Sequence, residues 1–241
     1  MTPLQQAARR RAEGLVADEA ADVVRWRDDA GRQVETGLHD YAALYAVPGL
    51  YEATYVLHLQ ASAPGLLVDA LAAVVPQGER ADRQVLDVGA GTGVVGDHLL
   101  AAGFGRVAAT DLEPASTAAV LRDRPEAYAD ARTLDLVHPG PDDEAWLRAL
   151  APQIVTAVAA VGFGHLPVEA LAAVTALLPR GGLLAVTAAR DLEHEPLLAE
   201  HAALLLGPSY RLRRRVDGQH RRTADGGVLE ATALVLERTA A

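Results

Sequence analysis

The sequence predicts an α/β fold: a doubly wound, mostly parallel seven-stranded sheet with an antiparallel C-terminal edge and an N-terminal helical cap. Three observations carry that expectation. From Ser62 onward, short apolar runs alternate with stretches of helical periodicity, a pattern that calls for parallel strands, right-handed crossovers and helices on both faces. A glycine-rich turn follows directly on the first of those runs, residues 85–88. The chain then finishes on two β-patterned segments separated by Gly226-Gly227, which read as an antiparallel pair.

Residues 1–61 are expected to form the cap. Leu15, Val16, Val23, Val24 and Trp26 give a rough amphipathic helical pattern, punctuated by Gly31 and Gly37. The following stretch holds Tyr41, Tyr45, Tyr51 and Tyr55, four of the six tyrosines in the chain. Residues 62–241 are expected to form the core. Pro64 suits the first turn of a helix whose apolar spacing runs to Pro76. A helix over 94–102 stops at Gly103, the strand RVAAT ends at Asp111, and Pro114 opens a helix that ends before Pro125. A third strand is expected over 132–136, then a turn and helix in PGPDDEAWLRAL. The run IVTAVAAV reads as a central strand covered on both faces. Pro167 opens a helix with Val168, Leu171, Val174 and Leu178 on one side. Gly181-Gly182 leads into LLAVTAA, and SYRLRRRV with VLEATALVLER closes the sheet.

Composition narrows the function. A chain of 241 residues, half of them apolar, can bury one substantial core with a small appendage. With only 4% aromatics, that core must be mainly Ala, Leu and Val. The net charge of −10 is the reverse of what neutralising phosphates requires, so neither nucleic acid nor an anionic membrane is an expected partner. The absence of cysteine excludes disulfides, thiolate metal sites and a cysteine nucleophile. The HEP of residues 194–196 has no second histidine at ligand spacing, so no metal is expected. The N-terminus lacks an apolar signal region, and the longest apolar stretch, residues 154–164, is too short to span a bilayer. The expected setting is cytoplasmic, with a homo-oligomer left open.

The strongest chemical signal is Asp87-Val88-Gly89-Ala90-Gly91-Thr92-Gly93. In an open α/β sheet, ligands sit beyond the carboxyl ends of the strands. Glycines there let the backbone approach a nucleoside-containing ligand and present N–H groups near the next helix. Asp87 adds a carboxylate aimed at a cationic group, which a plain dinucleotide fingerprint lacks. Gly91-x-Gly93-x-x-Gly96 also makes a bare GxGxxG, which keeps a nicotinamide enzyme as a rival. Asp111, about twenty residues after the loop, can accept hydrogen bonds from both ribose hydroxyls, and Leu112 can pack on a base.

On these residues the chain resembles the class I S-adenosylmethionine-dependent methyltransferases, whose fold is Rossmann-like, over residues 62–241. The resemblance implies that the loop of Asp87, Gly89, Ala90, Gly91 and Gly93 wraps the methionine part of S-adenosylmethionine, and that Asp111 binds its ribose. It extends the cofactor site to Leu112, Asp135, Leu136 and Ala159, with Asp130 as the second choice for the acid beside adenine. Gln153-Ile154-Val155 stands where the family usually begins its fourth strand with Asp, and Phe163-Gly164-His165-Leu166-Pro167 where it often has a His-His-Leu-Pro run. Pro179-Arg180-Gly181-Gly182 resembles the turn before the fifth strand.

Methyl transfer is an in-line displacement, so alignment and exclusion of water are the main tasks. A general base is needed only when the acceptor arrives protonated. His165, near the mouth of the fourth strand, is the candidate base. Tyr45 and Tyr51 are read as lid residues over a small-molecule acceptor, and His39 and His58 are given no role. Asp191 and Glu193, after the fifth strand, are weaker candidates for touching the acceptor. Arg211, Arg213, Arg214, Arg215, Arg221 and Arg222 suggest an acidic ligand or partner, or serve as guards on an edge strand. The expected function is transfer of methyl to an O or N atom of a small acceptor, with S-adenosylhomocysteine as product. A protein that binds the cofactor without methylating, a binding protein on the same fold, and a NAD-dependent oxidoreductase are the alternatives.

Overall fold

The computed structural model describes residues 1–161 and 165–239. Its centre is a seven-stranded sheet built from β4 (Gln84–Val88), β5 (Arg106–Asp111), β6 (Asp130–Thr133), β7 (Ile154–Ala157), β8 (Leu183–Ala189), β9 (Tyr210–Arg222) and β10 (Val228–Arg238). The strand order is β6-β5-β4-β7-β8-β10-β9. The pairs β4–β5, β4–β7, β5–β6 and β7–β8 are parallel. The pairs β8–β10 and β9–β10 are antiparallel, as the sequence predicts.

Both faces of the sheet are covered, which is why its inner strands are almost wholly apolar. Val85, Leu183 and Ala185 turn toward one core with α3 (Ala63–Ala72) and α5 (Val94–Ala101). Leu86, Leu184 and Val186 turn the other way, toward α7 (Pro141–Leu150), α8 (Val168–Ala176) and α9 (Ala199–Leu205). The alternation follows from successive side chains pointing to opposite faces of a strand. Prolines open α3, α6 (Pro114–Asp123) and α7 in their first turns, where no N–H is needed. A short α4 (Gln77–Arg80) leads into β4.

The N-terminal part carries α1 (Pro3–Ala12), α2 (Tyr41–Ala46) and a π-helical segment, Glu52–His58. Between them the structure departs from the sequence expectation. Val16–Asp18 (β1), Val23–Arg27 (β2) and Gln33–Gly37 (β3) form a three-stranded antiparallel meander. Val24 and Trp26 are buried and their neighbours in β2 are less so, which is the period of two expected of a strand. The buried residues of this part, among them Trp26, Leu44, Leu50 and Tyr55, form a third apolar cluster that includes Ala119 of α6.

Two core strands end earlier than the sequence predicts. β6 ends at Thr133 instead of reaching Leu136, and β7 ends at Ala157. The residues left over, 134–136 and 158–161, become loops at the carboxyl end of the sheet, and these loops line a cavity there. No described helix is long and apolar enough to cross a membrane.

Candidate functional site

The strand order reverses between β4 and β7, and a ligand crevice is expected at that switch point. There the carboxyl ends of the strands open into a cavity of about 940 Å³. Its floor is the glycine loop. Gly89 and Ala90 donate their N–H groups to the Thr110 carbonyl at 2.9 and 3.3 Å. Gly91 N–H donates to Asp111 Oδ2 at 2.9 Å, and Glu113 N–H donates to Asp111 Oδ1 at 3.0 Å. The loop is thus stitched to the end of β5. Gly91 has φ +57°, and a Cβ there would lie 3.1 Å from the Tyr45 hydroxyl; both the turn and the close approach of Tyr45 require glycine.

Asp87 is fully buried at the end of β4. Its Oδ1 accepts from Thr156 Oγ1 at 2.6 Å and its Oδ2 from the Tyr128 hydroxyl at 2.7 Å. Burial pushes its carboxyl up to about 6 against those two hydrogen bonds, and the negative charge of Asp111 adds to the rise. This corrects the sequence expectation: Asp87 is not in the cavity wall but is buried beneath the glycine loop, bonded to Thr156 and Tyr128. Gly93 is also outside the wall, against Tyr128 and Arg124.

Tyr128, buried outside the wall, is a supporting residue that sequence reasoning missed. Its hydroxyl also accepts from the Gly96 N–H at 2.9 Å, so one phenol ties Asp87 to the first turn of α5. A Cβ on Gly96 would stand 2.2 Å from the Tyr128 ring. The third glycine of the GxGxxG therefore makes room for a tyrosine, not for a ligand.

Of the ten residues expected to hold the cofactor, the other eight line this one cavity. Leu112 is 71% exposed and forms an apolar flap. Asp135 is held low by the N–H of Val137 at 2.8 Å and by His138. Leu136 is buried. Asp130, the alternative to Asp135, instead accepts from Trp146 Nε1 at 2.7 Å and lies outside the wall. Ala159 adopts φ +54°, and its N–H donates to Thr187 Oγ1 at 2.8 Å. Thr110 Oγ1, in the same wall, is buried without a hydrogen-bond partner.

The other half of the cavity is aromatic. Tyr41, Tyr45, Tyr51 and Tyr55 line it. Tyr51 and Tyr55 stack with centroids 4.8 Å apart, and Tyr45 meets Tyr51 edge-on at 5.3 Å. Burial pushes the hydroxyls of Tyr45, Tyr51 and Tyr55 well above their ordinary range, so they stay neutral. His165 lies at the rim with its ring edge-on to Tyr41 at 5.7 Å; burial and the nearby His39 lower its tendency to protonate. Phe163 and Gly164, which precede it in the family-like run, lie outside the described residues.

His39, given no role from sequence, lines the cavity, and so do His220 and Arg221 of β9. His39 had no sequence signal beyond its place beside the tyrosines. Asp191 and Glu193 do not line the cavity; Glu193 pairs with Arg215 at 3.0 Å. Among the described residues no cluster could hold a metal ion.

No protein-family model and no curated protein sequence matches the chain; the likeness is in the fold. A S-adenosylmethionine-dependent methyltransferase from Anabaena variabilis is 17% identical, with a TM-score of 0.54 over 88% of this chain and 99% of that one. Magnesium protoporphyrin IX methyltransferase from Synechocystis, with S-adenosylmethionine bound, is 17% identical, with a TM-score of 0.52 over 73% of this chain and 79% of that one. A protein from Pyrococcus horikoshii, provisionally named an RNA methyltransferase, is 13% identical, with a TM-score of 0.55 over 74% and 85%. The chain therefore has the class I S-adenosylmethionine-dependent methyltransferase fold.

Proposed function

We propose that this chain binds S-adenosylmethionine and transfers its methyl group to an oxygen or nitrogen atom of a small-molecule acceptor. The observation that carries the reading is the carboxylate of Asp87. It is completely buried, two hydroxyls satisfy it, and no cation among the described residues offsets it. Asp111 lies close enough for its negative charge to raise Asp87 further. A cavity with one carboxylate in its wall, Asp111, and a second buried beneath its floor, Asp87, favours a cationic ligand, and the donor is a sulfonium with an ammonium group. The unpartnered hydroxyl of Thr110 in the wall is a second group that a polar ligand would satisfy.

When bound, S-adenosylmethionine supplies an electrophilic methyl group on positive sulfur. The chain's own residues supply orientation and dryness. Gly89 to Gly91 form the floor, Asp111 faces the ribose, and Asp135, Leu136 and Leu112 bound the adenine. Residues 1–61 act as a lid, with Tyr45 and Tyr51 closing the acceptor half, over a transferring core of residues 62–241. Two imidazoles, His165 and His220, open onto the acceptor half as proton acceptors. The net charge of −10 and the tyrosine cover favour a small metabolite over RNA.

Titration calorimetry tests the cofactor. One-to-one binding of S-adenosylmethionine and S-adenosylhomocysteine is expected, with no heat from NAD. Silence from both sulfur compounds, or binding of NAD in their place, would remove the reading.

A further inference from the structure

A regular strand cannot send two consecutive side chains into the same cavity, because successive residues face opposite sides. His220 and Arg221 nevertheless both line the cavity, Arg221 beside Tyr55 of its aromatic half. The register explains it. Arg221 pairs with Leu229 and Gln219 with Glu230, so His220 is an extra residue with no partner on β10. It is a β-bulge, a feature that re-aims side chains and recurs beside active sites.

The bulge is held from outside. The His220 carbonyl accepts from Ser62 N–H at 2.9 Å, the Gln219 carbonyl accepts from Ser62 Oγ at 2.8 Å, and Arg222 N–H donates to the Leu59 carbonyl at 2.6 Å. The imidazole itself forms no hydrogen bond among the described residues; burial and the neighbouring Arg221 push it down to about 4, so it is neutral with a free lone pair. His165 is exposed at the rim, whereas His220 is more enclosed.

The charges around this half are already paired. Arg221 bonds Glu19 and lies 6.0 Å from the Tyr55 centroid. Glu230 pairs with Arg190, and His39 Nδ1 meets Asp22 at 2.6 Å. What remains facing the space is four tyrosine rings and neutral imidazoles, a surface suited to a flat, uncharged, aromatic guest.

Resting on the methyl-transfer reading, we propose that the acceptor is an aromatic hydroxyl compound and that His220, aimed by the bulge, takes its proton. The hydroxyl oxygen bonds to the methyl carbon as the carbon–sulfur bond breaks, and the electron pair of that bond stays on sulfur. The hydroxyl proton passes to the free ring nitrogen of His220 and from there to solvent. A weak base suffices, because the proton becomes strongly acidic as the oxygen–carbon bond forms.

The test uses the full chain with S-adenosylmethionine and two probes. One is 1-naphthol, which stays protonated at neutral pH; the other is 4-nitrophenol, which ionises readily. Wild type is expected to convert 1-naphthol to its methyl ether. His220→Asn is expected to lower that rate by about a hundredfold, with a loss on 4-nitrophenol about tenfold smaller. His165→Asn should cost less than His220→Asn on 1-naphthol. A second readout needs no turnover: in the S-adenosylhomocysteine complex, 1-naphthol should shift the nitrogen resonances of His220 and leave those of His58 in place. Calorimetric binding of S-adenosylhomocysteine shows that each variant is folded, and His220→Gln repeats the test should the Asn variant fail to fold.

Binding of the sulfur nucleoside with no docking or methylation of either phenol overturns the acceptor class and leaves the cofactor reading standing. Equal 1-naphthol rates for wild type and His220→Asn overturn the base. No binding of the nucleoside by wild type overturns both readings together.

Discussion

At the scale of single residues, Asp87 sets the energetics. A carboxyl raised from its ordinary 3.8 to about 6 by burial binds its proton more tightly folded than unfolded. Its penalty is therefore absent below pH 3.8, grows between 3.8 and 6, and is complete above 6, where it is worth about 3 kcal/mol. Asp87→Asn should raise thermal stability at pH 8 by up to that amount and at pH 4 by little, as melting at the two pH values would show. The same variant should weaken S-adenosylmethionine binding about tenfold, because a neutral amide no longer draws the cation. Tighter binding by the Asn variant would contradict the role given to this charge. The glycine loop was legible because its signal is local. Tyr128 was not, since nothing in the sequence says that a ring 41 residues beyond Asp87 fills the space Gly96 leaves.

Among elements, the π-helical segment and the glycine loop are fastened together from behind. Arg124, 5% exposed, donates to Glu52 Oε1 at 3.0 Å, to the Thr92 carbonyl at 2.6 Å and to Asp97 Oδ2 at 2.8 Å. Thr92 Oγ1 also donates to Glu52 Oε1 at 2.7 Å, while Glu52 Oε2 has no partner. π-Helical turns often mark functional places, and here the turn delivers an acid to the back of the ligand floor. Removing Glu52 leaves the buried Arg124 with Asp97, which is half exposed, as its one remaining carboxylate among the described residues. Glu52→Ala should lower stability by about 3 kcal/mol, and amide exchange should quicken in both residues 52–58 and 92–96. Quickening confined to the first stretch would show that the fastening does not reach the loop. This coupling was invisible in the sequence, where Glu52 and Arg124 are simply two charges far apart. The β1–β3 meander was misread for a related reason: Val23, Val24 and Trp26 fit a helical stripe as readily as alternation, and only pairing across strands decides between them.

Over the whole molecule, the order of helices and strands in the core was readable because the central strands β4, β5, β7 and β8 carry apolar runs, and the carboxyl-end position of the site follows from that order. The way the N-terminal part caps the site was only half readable: four clustered tyrosines marked it, but their packing against α6 depends on contacts distant in sequence. A chain lacking residues 1–61 would lose Tyr45, Tyr51 and Glu52 together. It should bind S-adenosylmethionine at least about a hundredfold more weakly. For the full chain, S-adenosylmethionine at a hundred times its Kd should add about 2.7 kcal/mol of stability, seen as a rise in melting temperature that the shortened chain does not show. An equal rise in both would relieve the N-terminal part of any share in holding the cofactor.

The strip of chain that leaves this N-terminal part, Leu59 to Ser62, lies along β9, with Gln60 in a left-handed turn and bonded to Gln219 and Arg222. It is fastened to the same stretch of backbone that forms the bulge at His220. On the proposed reading, a swing of residues 1–61 that admits a guest pulls on that backbone, so the doorway and the bulge at His220 shift together.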